Sequence, residues 1–543
     1  MVRSLSLALI FAGALLFAGC AHVTTGIAGA GNELTIAQQR EPMALNPALE
    51  NGTSSTEWGL LLFSYLVKFS DKGKLTPDLA TQIPTLQNGG ISKDGLTITY
   101  HIRRGVRFAD GAPLTARDCA WSIAAIDNPR NNVQSRYGYD LVADAQAAND
   151  TTLVLHLKRP FAPLLTLVLA PQGFPILPRH ILAKFPDFNH IAFDAAPIGS
   201  GPYVVERWQR GDRVTMRANP YYWRGKPRIA RIIVRFVPDP QTAINLLHTH
   251  EVQGYFNEQD YADYPILRDI PGYAVTSTPE NAVGAIIFNT QDPLTGDSLV
   301  RHALAEAIDV KSLIAKAYRG ALTSANAGRG LFIWAYDKAA YPDIPFNPNA
   351  ARELLERAGW RLGSDGVRHK NGQALSLLFI LQAATPGDAV IGNTVADYER
   401  RVGVHVDLKA FEITQFVAPA NEGGPVYGGK FQMGLYPFVN GDDPDATDQF
   451  ACANVPPHGY NKSRICNRRI DALLEAGKAT YDLAQRKAIY ARLQRLLYAQ
   501  LPIALIYQTR QVNAFTTRLQ HQTTSLSGAF WNAGAWTLEQ SEQ

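Results

Sequence analysis

The sequence predicts a multidomain chain in which α-helices and β-strands alternate. Its 543 residues are far more than one compact hydrophobic core requires, so two or three domains are expected. Residues 96–102 alternate apolar and polar side chains with a period of two, as in a strand with one buried face. Residues 483–500 instead carry an apolar stripe at helical spacing. Both patterns recur along the chain, so helices and strands are both expected along its length.

The amino terminus has the features of an export signal. Arg3 precedes a short apolar run over residues 5–17, and small residues follow before Cys20. The run is shorter than the ~20 residues that an ordinary membrane span needs. Cys20 directly after Ala-Gly resembles the lipidation motif of bacterial lipoproteins, so residues 1–19 are expected to be a signal peptide. An ordinary signal followed by a chance cysteine is the alternative. Residues 20–32 are predicted to form a lipidated, flexible tether.

Charge and cysteine content narrow the class of protein further. The 52 basic and 48 acidic residues are nearly balanced and form no basic block, so nucleic acid is not an expected partner. In an exported protein, Cys452 and Cys466 are expected to form a disulfide. Closing so short a loop contributes roughly 3 kcal/mol in the chain-entropy model. Cys119 is expected to be a small buried side chain.

Residues 93–122 form a compact unit whose elements are clear from the sequence KDGLTITYHIRRGVRFADGAPLTARDCAWS. A turn at Gly95 precedes the strand at 96–102, and Thr115 with Asp118 predicts the start of a helix at 116–126. The unit closely resembles a signature of the family 5 extracytoplasmic solute-binding proteins, the oligopeptide- and dipeptide-binding subunits of ABC importers. The resemblance continues in family order, including GSGPY at 199–203 and ANPYYWRGKP at 218–227.

Periodicity predicts the remaining elements in chain order. Strands are expected near the start of 33–47 and at 153–157, 229–237 and 503–507, and helices at 57–68, 240–250, 299–308, 350–360, 470–479 and 483–500.

The family resemblance implies an α/β class and a two-lobe periplasmic-binding-protein fold (type II, cluster C) with an extra satellite domain and a hinge of two crossing strands. Lobe I would combine residues 33–56, 196–283 and 511–543. The satellite domain would cover 57–195, and lobe II would cover 284–510. A solute would bind between the lobes of a monomer that needs no cofactor and delivers the solute to an ABC permease and ATPase complex. The expected location is the periplasm or cell surface, with a lipid anchor to the membrane.

An enzyme is not expected, because the chain lacks the nucleophile elbow, the zinc-protease helix and the phosphate loop. The acidic run at 442–448 lacks the spacing of a calcium loop, so a structural turn is expected there. No metal site is predicted.

The same run matters for binding in the related proteins. There a "D-x-x-D/E-P" motif supplies an aspartate to the α-ammonium of the ligand. Aligning Asp443-Pro444 with this motif places the neutral Asn440 at the amine-binding position. Two interpretations stay open: Asp442 supplies the carboxylate after a small loop shift, or the ligand lacks a free α-amine.

Other binding residues are predicted from position. Tyr436 and Phe438 line the cleft or belong to the core. Arg40, Asn51 and Asn281 are further candidates, and Asn281 lies in a segment that runs beside the ligand in relatives. The predicted function is capture of a peptide or peptide-like solute. The alternatives are a non-peptide ligand (haem, a nickel chelate, a sugar or a modified peptide) and a role as solute sensor or chaperone.

Overall fold

The computed structural model describes residues 32–49, 55–257, 263–324, 327–383 and 386–539. The predicted signal peptide, the lipidation site Cys20, nearly all of the tether and Asn51 lie outside the described residues.

Strands occur throughout the described chain. They are β1 (Glu33–Gln38), β2 (Val67–Phe69), β3 (Leu75–Pro77), β4 (Thr97–His101), β5 (Val142–Asn149), β6 (Thr152–Leu157), β7 (Tyr203–Gln209), β8 (Arg213–Ala218), β9 (Arg231–Phe236), β10 (Gly254–Asn257), β11 (Tyr273–Phe288), β12 (Arg361–Leu362), β13 (Arg368–Lys370), β14 (Gln373–Ala374), β15 (Ser376–Gln382), β16 (His405–Phe411), β17 (Met433–Val439), β18 (Ile503–Thr516), β19 (Leu519–Gln520) and β20 (Thr537–Leu538).

Helices alternate with these strands. They are α1 (Ser55–Leu62), α2 (Ala116–Asp127), α3 (Leu164–Leu167), α4 (Arg179–Leu182), α5 (Pro240–His248), α6 (Tyr264–Arg268), α7 (Ser298–Glu306), α8 (Val310–Tyr318), α9 (Gly328–Phe332), α10 (Pro348–Arg357), α11 (Pro386–Arg401), α12 (Ile413–Phe416), α13 (Pro425–Gly428), α14 (Thr447–Phe450), α15 (Arg468–Ala479) and α16 (Leu483–Gln500). None of the described helices is long and apolar enough to cross a membrane.

One large sheet connects the two halves of the described chain. Its strand order is β16-β15-β17-β11-β18-β10-β1-β9-β8-β7. The two long strands at its centre, β11 and β18, pair antiparallel along most of their length. They cross the boundaries predicted at 283/284 and 510/511, where the hinge is expected. The domain boundaries themselves stay a prediction.

The strand β11 also shows how the second half is built. Val283, Ala285 and Ile287 belong to one buried cluster, and Ile286 and Phe288 belong to another on the opposite face. Alternate side chains of a strand point to opposite faces, so the sheet is covered on both sides here. This two-sided burial is the α/β arrangement that the family resemblance implies.

The unit at residues 93–122 forms as predicted. Strand β4 pairs with β6, and α2 begins at Ala116 behind a complete capping box. The Thr115 hydroxyl accepts a hydrogen bond from the Arg117 amide, and the Asp118 carboxylate accepts one from the Thr115 amide at 2.9 Å. These two bonds satisfy amides that have no partner inside the helix, which fixes its first turn.

The helix predicted at 57–68 is shorter than expected. It ends at Leu62, and the chain then turns into β2. The amide of Tyr65 donates to the Asp78 carboxylate, and that of Leu66 donates to the Leu169 carbonyl. Since these amides have long-range partners, they cannot continue the helical hydrogen-bond series. The apolar run at 60–67 is buried from all sides, and periodicity alone does not distinguish such a run from a helix.

Gly201 allows two chain segments to touch. Its amide donates to the Leu62 carbonyl at 3.0 Å, and a Cβ at this position would collide with the main chain of Leu62 and Phe63. Gly201→Ala is therefore expected to lower the free energy of unfolding by about 1–3 kcal/mol, as measured by urea denaturation. Gly441→Ala is the matched control, because a Cβ there meets open space. Equal stability of the two variants would refute the close-packing argument.

The predicted disulfide is present. Cys452 and Cys466 are bonded, with Cα atoms 4.5 Å apart and a sequence separation of 14. Cys119 is free and buried, as the sequence predicts, and burial raises the pKa of its thiol.

Candidate ligand-binding site

A cavity of about 420 Å³ lies where β11, β17 and β18 meet the amino-terminal half of the chain. Its walls come from these three strands, from α1 and from the segment at 525–528. Other elements add Gln172, Phe256, Tyr318, Gln382 and Asp388. The cavity thus draws on all three predicted domains, and it lies beside the strands that connect the lobes.

Strand parity decides which side chains of β17 and β18 reach the cavity. Leu435, Pro437 and Val439 line it from β17, and Tyr507, Thr509 and Gln511 line it from β18. Each set alternates along its strand, as side chains on one face of a sheet must. The β17 side chains form an apolar wall, and Val439 is 71% exposed.

Tyr436 and Phe438 do not line the cavity. They occupy the alternate positions of β17 and pack on its other face, where the ring of Tyr436 stacks on Phe416 at 6.1 Å. Phe438 is only 5% exposed and belongs to a hydrophobic cluster. Of the two interpretations open from the sequence, the structure places both aromatics in the core, because a strand alternates its faces.

A bulge in β11 shapes the polar side of the cavity. The pairing of β11 with β18 breaks between Pro279 and Val283, and Glu280, Asn281 and Ala282 line the cavity. The backbone carbonyls of these three residues already accept hydrogen bonds. Glu280 accepts from Gln508 Nε2, Asn281 from the backbone amide of Asn440, and Ala282 from Thr509 Oγ1. The bulge therefore offers its side chains to a ligand, while its carbonyls are already hydrogen-bonded.

Asn440 lines the cavity, but its side-chain amide is engaged within the protein. Its Nδ2 donates to the Gly330 carbonyl at 2.9 Å, and its Oδ1 accepts from Gln449 Nε2 at 3.0 Å. The residue is 8% exposed. Asn440 thus ties the end of β17 to α9 and α14, which is a positioning role.

Asp442 is the acidic group next to the bulge. It is 1% exposed, and its Oδ1 accepts a hydrogen bond from Asn281 Nδ2 at 2.8 Å. Its Oδ2 has no hydrogen bond of standard geometry to the described residues. Burial raises the pKa of this carboxyl to about 8; the Asn281 hydrogen bond opposes the shift, Asp443 adds to it, and the nearby Gln172 amide opposes it more weakly. Asp442 is therefore a buried acid that a cation would stabilise in its ionised form.

The neighbouring acidic residues are structural, as the predicted turn requires. Asp443 forms a buried bidentate ion pair with Arg486, at 2.8 and 2.7 Å. Asp445 accepts hydrogen bonds from the Thr447 amide and from Tyr137 Oη. In the described chain no three His, Cys, Asp or Glu side chains are grouped so as to hold a metal ion.

Three acidic residues line the cavity from separate elements: Glu57 on α1, Glu280 on β11 and Asp388 on α11. Glu57 on α1 accepts hydrogen bonds from the amides of Ala529 and Phe530 at 2.8 and 3.0 Å, which ties α1 to the carboxy-terminal segment. Burial raises the pKa of Glu280, and a hydrogen bond with Thr509 partly offsets the rise. Sequence reasoning missed Glu57 and Gln172 because no local pattern marks them. Thr509 and Gln511 could have been found by extending the strand predicted at 503–507 with the same parity.

Arg40 is not brought to the cavity. Its side chain is exposed, and its carbonyl accepts from Gln38 Nε2 at 3.0 Å. Asn281, Asn440 and Asp442 are the predicted site residues that the structure places together.

A second cavity, of about 780 Å³, lies between the region of β2–β3 and the start of α16. Most of its lining is apolar. Of the five ionic side chains that line it, Asp443 and Arg486 are paired with each other, and the other three are Lys74, Asp482 and Lys487. It is larger than the first cavity, but it offers few convergent polar groups to orient a ligand. The smaller cavity is therefore the candidate binding site.

A two-lobed molecule with a polar cavity beside its connecting strands defines a solute-binding protein. The profile of the bacterial extracellular solute-binding proteins, family 5 Middle, matches residues 74–455, and the chain belongs to this family. Protein XP55 of Streptomyces lividans is 26% identical over 540 residues, covering 97% of this chain and 93% of that protein. The oligopeptide-binding protein AppA of Bacillus subtilis is 24% identical over 513 residues, covering 94% and 92%.

A solved structure shows the same fold. The substrate-binding protein CtaP of Listeria monocytogenes superposes with a TM-score of 0.80 at 22% identity, covering 94% of this chain and 99% of that one. The predicted family and fold class are confirmed, and the chain is an extracytoplasmic solute-binding protein.

Proposed function

We propose that the protein captures a peptide or peptide-like solute in the 420 Å³ cavity and delivers it to the permease and ATPase complex of an ABC importer. The observation that carries the proposal is the Asn281–Asp442 pair, a buried hydrogen-bonded acid beside a cavity built from all three predicted domains. Related proteins named for oligopeptide and glutathione binding support the class of ligand.

Asp442 supplies the negative charge that Asn440 lacks. Asn281 Nδ2 donates to Asp442 and, more weakly, to the Gly441 carbonyl at 3.4 Å. This orientation leaves Asn281 Oδ1 as an acceptor for a ligand N–H, while the carboxylate behind it polarises the amide. Of the two interpretations open from the sequence, we adopt the one in which Asp442 recognises the amine.

Closure of the lobes accompanies capture. The satellite region already touches the second half of the chain: the Ala162 amide donates to the Lys478 carbonyl at 2.7 Å, and Tyr481 Oη bridges the Phe161 amide and the Gly95 carbonyl. None of these residues lines the cavity, and we expect their contacts to stabilise a closed form. Hinge motion about β11 and β18 would open the cavity to solvent.

No catalytic step is part of the proposal, because the family consists of binding proteins. Export with lipid anchoring at Cys20 keeps the binding protein near the permease, since acyl chains hold a protein at a membrane surface. Binding as a monomer is part of the proposal, and the described lining of the cavity, which one chain supplies, supports it.

Blocking the cavity tests the assignment. Val439→Trp places an indole on the exposed apolar wall, and Ile413→Trp adds the same group to an exposed position on α12 as a control. A panel of di- and tripeptides, glutathione, nickel–histidine and haem is screened by thermal shift. We expect a peptide-like solute to raise the melting temperature of the unaltered protein and of Ile413→Trp, but not of Val439→Trp. An equal shift in Val439→Trp would show that the solute binds elsewhere.

A further inference from the structure

The cavity is acidic and has no basic counterpart. Glu57, Glu280 and Asp388 line it, whereas no Lys, Arg or His is among its described lining residues. The internal stretches outside the described residues, 50–54, 258–262, 325–326 and 384–385, contain no Lys, Arg or His in their sequence either. A ligand carboxylate in this cavity would therefore meet negative charge without an ion-pair partner.

Asp442 points independently to a cationic ligand. This side chain is 1% exposed, and its Oδ2 lacks a hydrogen bond to the described residues. It lies against two cavity-lining side chains: it is bonded to Asn281, and the Gln172 amide is close enough to oppose the rise in its pKa. A buried carboxylate with one oxygen outside any hydrogen bond of standard geometry is costly in the empty protein, and a neighbouring ammonium would relieve that cost.

Two nearby arginines are already engaged within the protein. Arg510 follows the cavity-lining Thr509 on β18, but it has the opposite strand parity and donates to Ser277 Oγ at 2.6 Å. Arg486 is held by Asp443. Neither guanidinium is available to a carboxylate in the cavity.

The remaining wall is apolar. Leu435, Pro437 and Val439 face the acidic side across the cavity. A solute that fits both walls is amphipathic, with a cationic end and an apolar body.

We infer that the cleft selects an amphipathic solute that presents a protonated amine to Glu280, Asn281 and Asp442 and carries no free carboxylate inside the cleft. Peptides with a blocked carboxyl end and other apolar amines belong to this class. The inference rests on the proposed function and narrows its substrate.

Four forms of one tripeptide test the charge rule. Ala-Leu-Ala is prepared with a free or acetylated amine, each with a free or amidated carboxyl end, and binding is measured by isothermal titration calorimetry after denaturant washing to remove bound solute. We expect the form with a free amine and an amidated carboxyl end to bind at least tenfold more tightly than the zwitterion, and both acetylated forms to bind most weakly. A zwitterion that binds as tightly as the amide, or an acetylated acid that binds most tightly, would overturn the inference.

Two further probes separate this inference from the proposed function. If no tripeptide binds, spermidine and glutarate are compared. Spermidine binding without glutarate binding would refute the peptide class but support the charge rule. Binding of glutarate, or of neither compound, would overturn the charge rule as well.

A conservative variant adds a readout within the site. Glu280→Gln is expected to weaken binding of the amidated tripeptide at least fivefold. It should also reduce the ratio between the affinity for the amidated tripeptide and the affinity for the zwitterion. Glu412→Gln, an exposed position, is the matched control and should bind like the unaltered protein. Thermal melting checks that both variants fold. An unchanged preference in Glu280→Gln would contradict the proposed contact.

Discussion

Asp442→Asn is expected to weaken the binding of an amine-bearing solute by at least tenfold. The substitution keeps the shape of the side chain but removes the negative charge behind Asn281. Charge-assisted hydrogen bonds contribute roughly 1.5–3 kcal/mol, which corresponds to about ten- to hundredfold in affinity. Calorimetric titration of the same solute into both proteins measures the loss.

The pH dependence of binding distinguishes a charge effect from a loss of shape. Asp442 has a pKa of about 8 in the empty protein, so it is mostly protonated at pH 6. A cationic solute binds the ionised form, and binding must then release a proton. The affinity of the unaltered protein should rise between pH 6 and pH 8, by up to about tenfold per pH unit. The affinity of Asp442→Asn should rise much less over the same interval, because only Glu280, whose pKa burial also raises, is left to titrate beside the amine.

The same shift predicts the stability of the empty protein. The pKa of Asp442 is raised above the ordinary value of about 3.9, so the folded state favours the protonated carboxyl. The stability that it contributes is complete below about pH 4 and is lost as the pH rises through about 8. At pH 9 the empty Asp442→Asn protein should therefore be more stable than the unaltered one, on the order of a few kcal/mol.

The exposed Asp407→Asn is the control for the change in net charge. This variant should show the same pH dependence of binding as the unaltered protein, and at pH 9 the empty variant should be no more stable than the unaltered protein. An affinity that rises no more in the unaltered protein than in Asp442→Asn would remove Asp442 from the binding mechanism.

Arg486→Met is expected to lower the free energy of unfolding by about 3–5 kcal/mol. The substitution leaves the Asp443 carboxylate buried without the bidentate partner that now holds it at 2.8 and 2.7 Å. An uncompensated buried charge is more costly than the loss of the pair itself. Urea denaturation at pH 7 measures the difference.

The double variant Asp443→Leu with Arg486→Met distinguishes the loss of the whole ion pair from the loss of one of its two members. Removing both charges should recover most of the lost stability, because no buried ion then lacks a partner. Solute affinity in the double variant should stay within threefold of the unaltered protein. A tenfold or larger loss of affinity in a stable double variant would show that Asp443 contacts the solute.

Local elements were predictable because their causes are local. The capping box at Thr115 and Asp118 and the alternation at 96–102 depend on neighbouring residues, and both appear in the structure. The helix at 57–68 was overextended because the partners that end it, Asp78 and Leu169, are distant in sequence.

The cavity was only partly predictable, for a related reason. The family motif directed attention to Asn440 and Asp442, yet their roles depend on Gly330, Gln449 and Asn281, which lie on other elements. Tyr436 and Phe438 were candidates because of their proximity in sequence, and strand parity moved them to the core. The bulge at 280–282 has no sequence signal of its own, although it sets the polar side of the site.

A crystal structure of the protein with the tightest-binding tripeptide form is the most direct test of a solute site between the lobes. The expected result is a ligand in the 420 Å³ cavity, with its ammonium within hydrogen-bond distance of Asn281 and next to Glu280. Its apolar side chain should lie against Leu435 and Val439. A ligand in the 780 Å³ cavity would contradict this assignment, as would a ligand carboxylate facing Asn281.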